Sequence, residues 1–251
     1  MKKICSFKKN PHFHRLKKTI KKNFDKVFSH TGFMIERTTE KDKIKELIKK
    51  LRPFQTDKEL IRLGSNGDGG YLVPNDLIGI SACFSPGVGD LNTFEEDCLK
   101  YGMKVFLADK SVDGPTKSYE SFHFTKKFIG PITNDDIITM DEWVNNSIVE
   151  KKSDLLLQMD IEGDEYLSII NMSESLIKRF RIIIVEFHQL EKLFNKDFFD
   201  FAYIAFQKLL LNHICVHIHP NNYYGTEKRN EIEIPILAEF TFFRKDRIRS
   251  K

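Results

Sequence analysis

Long apolar runs are missing from this chain of 251 residues. No stretch approaches the roughly 18 residues that a membrane-crossing helix needs. Met1 to Lys9 is basic, but no apolar core of a signal peptide follows it, so a cytoplasmic location is expected. Cysteine is scarce: Cys5, Cys83, Cys98 and Cys215 lie far apart and form no CxxC pair. That argues against a disulfide framework or a zinc knuckle and reads as free thiols in a reducing compartment. No Gly-Lys-Ser/Thr closes the Gly-rich stretch Ser65–Gly70, which weakens any P-loop reading. The third glycine of a full G-x-G-x-x-G is also absent, because Asn92 stands where it would follow Gly87 and Gly89. This counts against an NAD-type oxidoreductase, which stays as an alternative.

What is present points to a folded α/β protein. Hydrophobic residues make up 41% of the chain and phenylalanine alone 22 positions, enough for a substantial core. Charge is unevenly spread: residues 1–50 hold 16 Lys/Arg against 5 Asp/Glu, while the rest holds 24 against 31. The expected organisation is therefore a basic helical N-terminal extension over 1–58 and a catalytic body over 59–251. Within the extension, Leu16, Ile20, Phe24, Val27 and Phe28 recur at helical spacing between lysines. Such a helix can lie on anionic lipid, as a peripheral membrane contact, or pack on a second copy of the chain. A non-enzymatic membrane-surface binding module is the further alternative. Aromatics and bases are not interleaved as a base-stacking platform requires, so no nucleic-acid partner is expected.

Taken in order, a helix is predicted over Lys41 to Leu51, ended by Pro53. A β-hairpin follows over Leu60 to Leu77, with Asn66-Gly67 and Asp68-Gly69 at its turn. Ile80 opens a buried strand that reaches Ser85-Pro86-Gly87-Val88-Gly89 and then a helix over Thr93 to Lys100. Further strands are predicted over Met103–Ser111, Phe122–Ile129, Asp154–Met159, Arg181–Gln189, His213–Asn222 and Glu231–Phe243. Helices are placed around Trp143, over Ser168–Lys178 and over Leu193–Leu211. Alternating buried strands and helices indicate a doubly wound sheet, mostly parallel, which can end in an antiparallel hairpin.

Chemistry gathers at the strand ends. Gly87 and Gly89 let backbone N–H groups approach a ligand at a helix N-terminus, and Asp109 lies 20 residues beyond Gly89, where a carboxylate can accept from ribose hydroxyls. Three later strands end in Asp160, in Glu186 and His188, and in His217 and His219. If those strands are neighbours, Asp160, His188 and His219 converge on one rim as candidate catalytic groups. A carboxylate or imidazole there can act as a general base toward a hydroxyl, and the same three can hold a divalent metal. Asp164 and Glu165 are expected to serve the start of the next helix.

The order SPGVGD (85–90), FLADKS (106–111), QMDIEGDEY (158–166) and IVEFH (184–188) resembles the FkbM-type S-adenosylmethionine-dependent methyltransferases. The most specific match is DIEGDE, Asp160 to Glu165; the resemblance covers about residues 60 to 245. Ser85 departs from the pattern, which has an acid there more often. The resemblance implies a class I (Rossmann-like) methyltransferase fold with a seven-stranded, mostly parallel sheet and helices on both faces. It also implies that Pro86, Gly87 and Gly89 approach the methionine part of the donor and that Asp109 binds its ribose. The acceptor would sit near Asp160. A small-molecule or glycan acceptor follows, with a sugar hydroxyl as the reacting group, in nucleotide-linked form or as a surface glycan precursor.

Overall fold

The computed structural model describes residues 36–248 apart from 68, 90 and 91, together with residues 19, 20, 22 and 23. The basic arm, and with it the membrane and self-association readings, lies mostly outside the described residues. The compact body begins at Thr39. Helix α1 (Lys41–Leu51), which the sequence reading assigns to the extension, therefore belongs to the body. Its Ile44, Leu47 and Leu51 are buried in the main core, as their spacing on one face requires.

The hairpin is present as β1 (Leu60–Gly64) and β2 (Gly70–Pro74), paired antiparallel. There follow β3 (Ile80–Pro86), α2 (Thr93–Lys100), β4 (Lys104–Ala108) and β5 (Phe122–Thr125). The predicted strand over Phe122–Ile129 is broken: Phe128–Ile129 forms β6, which leaves the sheet to pair with β7 (Ile137–Ile138). Next come α3 (Met140–Ser147), capped by the Thr139 side chain, then β8 (Asp154–Met159), α4 (Glu165–Asn171) and α5 (Glu174–Arg179). The last two replace the single helix expected over Ser168–Lys178. Ser173 separates them, its hydroxyl accepting from Leu176 N and so starting α5. Strand β9 (Phe180–Phe187) is buried along its whole length. A 3₁₀ turn (Leu190–Phe194) precedes α6 (Lys196–Asn212), whose first N–H groups bond to Asn195. Strand β10 (His213–Pro220) follows. The segment expected as one last strand is two: β12 (Ile232–Pro235) pairs with β11 (Thr226–Arg229), and β13 (Ala238–Arg244) enters the sheet.

The sheet has seven strands in the order β10-β13-β9-β8-β3-β4-β5. It is mixed: β13 runs antiparallel to both of its neighbours, and the pairings from β9 to β5 are all parallel. One face is covered by α1, α3, α4, α5 and α6, the other by α2 and the β1–β2 hairpin. Strands buried on both faces read as the continuous apolar runs LLL and IIIV rather than as alternation.

At the amino edge of the sheet, charge is paired. Asp154, the first residue of β8, bonds Arg181 of β9 (Nη2 to Oδ2, 2.7 Å) and Arg244 of β13 (Nη1 to Oδ1, 2.7 Å). Arg181, only 6% exposed in its side chain, also donates to the carbonyls of Asp76 and Ile78. These contacts outweigh burial and hold the Asp154 carboxyl below its ordinary range.

Candidate active site

At the opposite, carboxyl edge, β3 ends in a turn with no room for a side chain. Gly87 has φ +87°, and a Cβ there would meet the Asp160 carbonyl oxygen at 1.6 Å. Its N–H donates to Ala108 O (3.0 Å), while Asp160 N donates to Pro86 O (3.3 Å). The Pro86-Gly87 turn and the end of β8 are therefore in direct backbone contact. Val88 N, between the two glycines, donates to Asp109 Oδ2 at 3.0 Å, and Asp109 Oδ1 accepts from Ser111 N and Oγ. Asp109 is thus held against the turn by backbone N–H groups.

Beneath this turn lies a buried polar chain. Ser85 Oγ stands 2.6 Å from both Glu95 Oε1 and Gln158 Oε1, and Gln158 Nε2 donates to the Tyr71 hydroxyl (3.0 Å). One serine proton cannot serve two acceptors, so either Glu95 donates as a neutral acid or the Gln158 amide is turned to donate to Ser85. Burial raises the Glu95 pKa in the direction the first requires. The chain explains why Gln158 interrupts an otherwise apolar strand. It also returns a carboxyl group to the side of Ser85, the position where the resembling family more often carries an acid.

After Asp160 the chain turns sharply, with Glu162 at φ 57° and Gly163 at φ 114°. The turn brings Glu165 back over itself. Its Oε1 accepts from Ile161 N (3.1 Å), Gly163 N (3.0 Å) and His188 Nδ1 (3.0 Å). Glu165 is fully buried. It begins α4 as expected, but its carboxylate serves the turn and His188, beyond the helix start assigned to it. The same contact turns His188 Nε2 toward Glu162 (3.3 Å) and Asp160 (3.9 Å), and the Tyr166 hydroxyl donates to the His188 carbonyl. Burial alone would lower the His188 pKa. The bond to Glu165 and the charges of Glu165, Asp160 and Glu162 overcome it and raise the imidazole to about 9.

Asp160 has a second neighbour. Its carboxyl is within hydrogen-bonding reach of Glu186 at the end of β9. Burial first, then the bond to Asp160 and its charge, raise Glu186 to about 8, so the pair holds a proton between them at neutral pH. Glu186 stands directly opposite Glu239 on β13, and Glu239 opposite His219 on β10. Directly opposed residues share a face, so Glu186, Glu239 and His219 form one row across β9, β13 and β10, and Asp160, just past the end of β8, adjoins it at Glu186. The row borders a cavity of about 550 Å³, whose far side is the hairpin turn with Arg62 and Asn66 and whose rim carries Tyr223 and Tyr224.

Of the residues expected at the rim, Asp160, His188 and His219 all line this cavity. His217 stacks on His219 at 6.5 Å between ring centroids and is not among the lining residues. Among the described residues, Asp160, Glu165 and His188 form a group able to hold a cation, their ligand atoms within 4.8 Å of one another. His219 is not in this group, and Glu165 is. Glu239, Arg62 and the two tyrosines escaped the sequence reading. The break between β12 and β13 follows Pro235, a strand-interrupting residue inside the run read as one strand.

Residues 71–223 match the family model of the methyltransferase FkbM domain. No curated protein matches the chain. Among the described residues no helix is long and apolar enough to cross a membrane.

Proposed function

The chain belongs to the methyltransferase FkbM domain family and is a methyltransferase; from that premise we propose that it moves a methyl group from S-adenosylmethionine to a sugar hydroxyl, within a class I methyltransferase fold. The observation that carries this reading is the backbone contact between Gly87 and Asp160. The contact supports a donor turn and an acidic strand end that work together, as group transfer between two bound partners requires.

When bound, S-adenosylmethionine supplies an electrophilic methyl carbon that the acceptor oxygen attacks in line as the carbon–sulfur bond breaks. The chain's own groups have separate tasks. Backbone at Pro86, Gly87 and Gly89 would take the methionine part, and Asp109, just past the end of β4, would accept from the ribose hydroxyls. Asp160 takes the hydroxyl proton. His188, raised to about 9, is suited to carry a proton and not to act as the base; its charge favours the ionised form of Asp160 against the burial that raises that carboxyl. Glu186 carries the shared proton, which keeps two negative charges from facing each other.

A divalent cation is a second use of the same side chains. Glu165 fixes the His188 tautomer from behind and leaves Nε2 facing Asp160 and Glu162, and Glu165 Oε2 is buried without a protein donor. Asp160, His188 and Glu165 would hold the ion, with His219 further along the row. Its chemistry there would be to lower the pKa of the acceptor hydroxyl.

Calorimetry with S-adenosylmethionine tests the reading. The wild type should bind the donor, and Asp109→Ala should weaken binding by at least about tenfold, the loss of one charge-assisted hydrogen bond to a hydroxyl. No binding by the wild type, or an unchanged affinity in Asp109→Ala, would remove it. Donor turnover with and without chelator decides the role of the cation.

A further inference from the structure

The hairpin turn is wound around a guanidinium. Arg62, the middle residue of β1, donates from Nη1 to the carbonyls of Gly70 (2.7 Å) and Ser65 (3.2 Å). The turn closes on it without spare room. A Cβ at Gly70 would meet Ser65 O at 1.8 Å and Arg62 Nη1 at 2.7 Å, and one at Gly64 would meet Gly69 O at 2.2 Å. Nη1 has two N–H groups, and the two carbonyls take both. The edge formed by Nε and Nη2, which can fork onto a phosphate or carboxylate, meets no acceptor among the described residues. Arg62 is exposed and lines the cavity, with Asn66 and Gly67 beside it.

The other charged groups on the cavity wall are already met. His188 stands 3.3 Å from Glu162 and 3.9 Å from Asp160, Asp160 shares a proton with Glu186, and Glu239 has an interaction of its own. Arg62 forms no ion pair among the described residues. Its charge acts on His217 instead: burial first, then the charges of His219 and Arg62, lower the pKa of that imidazole. Arg62 is therefore close to the stacked His217–His219 pair, and His219 is the end of the row on β10, three strands away from Asp160. The cavity has a reacting end at Asp160 and a cationic end at the hairpin.

We infer that the acceptor sugar carries an anionic group, a phosphate or a carboxylate, and that Arg62 receives it while the reacting hydroxyl lies at Asp160. This rests on the sugar-methyltransferase reading above and names the substrate class and the residue that selects it. Asn66 and His219, which line the cavity too, can donate to further oxygens of the anion. Because Nη1 is held in the turn, the fork is in place before the acceptor arrives, and little side-chain freedom is lost on binding. A neutral sugar would leave the guanidinium without its partner, and a site built for a polar group rejects the analogue that lacks it.

The test uses the full chain and follows formation of the demethylated donor. Neutral methyl hexosides are compared with the matching uronates, 6-phosphates and nucleoside-diphosphate sugars, each with chelator and with magnesium; the three anionic arms tell carboxylate, phosphate and diphosphate apart. At least one anionic series should exceed the neutral one in kcat/KM by at least about tenfold. Arg62→Gln should cut kcat/KM for that series about 10- to 100-fold, through KM, at unchanged donor affinity by calorimetry. Arg62→Lys, a point charge without a fork, should recover part of the loss. Should Arg62→Gln fail to fold, the wild type decides alone, with inorganic phosphate expected to compete with the acceptor and not with the donor. Neutral sugars turned over as well as every anionic one in both metal arms would overturn the inference. So would an Arg62→Gln protein that loses donor affinity and keeps the preference for anionic acceptors, which would assign the guanidinium to the donor's carboxylate. Donor binding without methylation of any sugar would instead overturn the sugar reading, and the inference with it.

Discussion

Strands β8, β9 and β13 have two ends, and the two are built in opposite ways. At the amino edge Asp154 is met by Arg181 and Arg244, charge for charge, with both pairs at 2.7 Å. At the carboxyl edge, a strand's length away, Asp160, Glu186 and Glu239 stand side by side, with the imidazole of His188 next to Asp160. Like charges placed opposite each other on neighbouring strands are destabilising. An arrangement that favoured stability alone would have repeated the amino edge. On the function proposed above, the difference separates the end that holds the sheet together from the end that does chemistry.

The two ends should respond differently to substitution. The largest effect is expected where the turn and the acidic rim touch. Gly87→Ala forces a Cβ into the Asp160 carbonyl, so donor binding by calorimetry and turnover should both fall below detection. Glu165→Gln comes next. It weakens the charge that holds His188 protonated and aimed, and kcat should drop about 10- to 100-fold at little change in donor affinity. Asp154→Ala belongs to the other end: it strands Arg181 in a buried place and should cost about 3 kcal/mol in denaturant unfolding, with turnover per folded molecule unchanged. Full activity loss in a folded Asp154→Ala protein would break the division between the ends.

The smallest effect is on pH dependence, where the ends set opposite limits. Asp154 has a folded pKa below the ordinary 3.8. The stability it contributes is complete above that value and is lost as pH falls through the depressed pKa. Glu186 and His188 have raised values, about 8 from 4.5 and about 9 from 6.5. Their contributions are complete below the ordinary values and are lost as pH rises, through about 8 for Glu186 and about 9 for His188. Melting temperature should therefore decline between about pH 4.5 and 9, from Glu186 first and then from His188. Glu186→Gln, which keeps a donor toward Asp160 without an ionisable proton, should flatten that decline. An unchanged alkaline limb in this variant would contradict the shared proton.

Much of this was legible in the chain. The runs LLL and IIIV mark strands buried on both faces, the glycine spacing marks the turn at Gly87, and Asp160 and His188 stand where apolar runs stop. The break at Lys126-Lys127 was not legible, because the residues on both sides alternate as one strand would. Nor was the company of Asp160. Glu186 and Glu239 meet it through the order and register of strands far apart in sequence, which periodicity does not encode. Glu165 was misjudged for a related reason. A carboxylate in the first turn of a helix has a sufficient local explanation, and only the left-handed Glu162 and the following Gly163 fold it back onto His188.

On the function proposed above, the carboxyl edge carries the methyl transfer while the amino edge carries stability. Asp154→Asn and Asp160→Asn make the same chemical change at the two ends of one strand. Measured side by side for turnover and melting temperature, Asp160→Asn should lose at least about 100-fold in kcat with its melting temperature nearly kept. Asp154→Asn should lose stability and keep kcat. Equal loss of kcat in both, or full turnover in Asp160→Asn, would contradict the account.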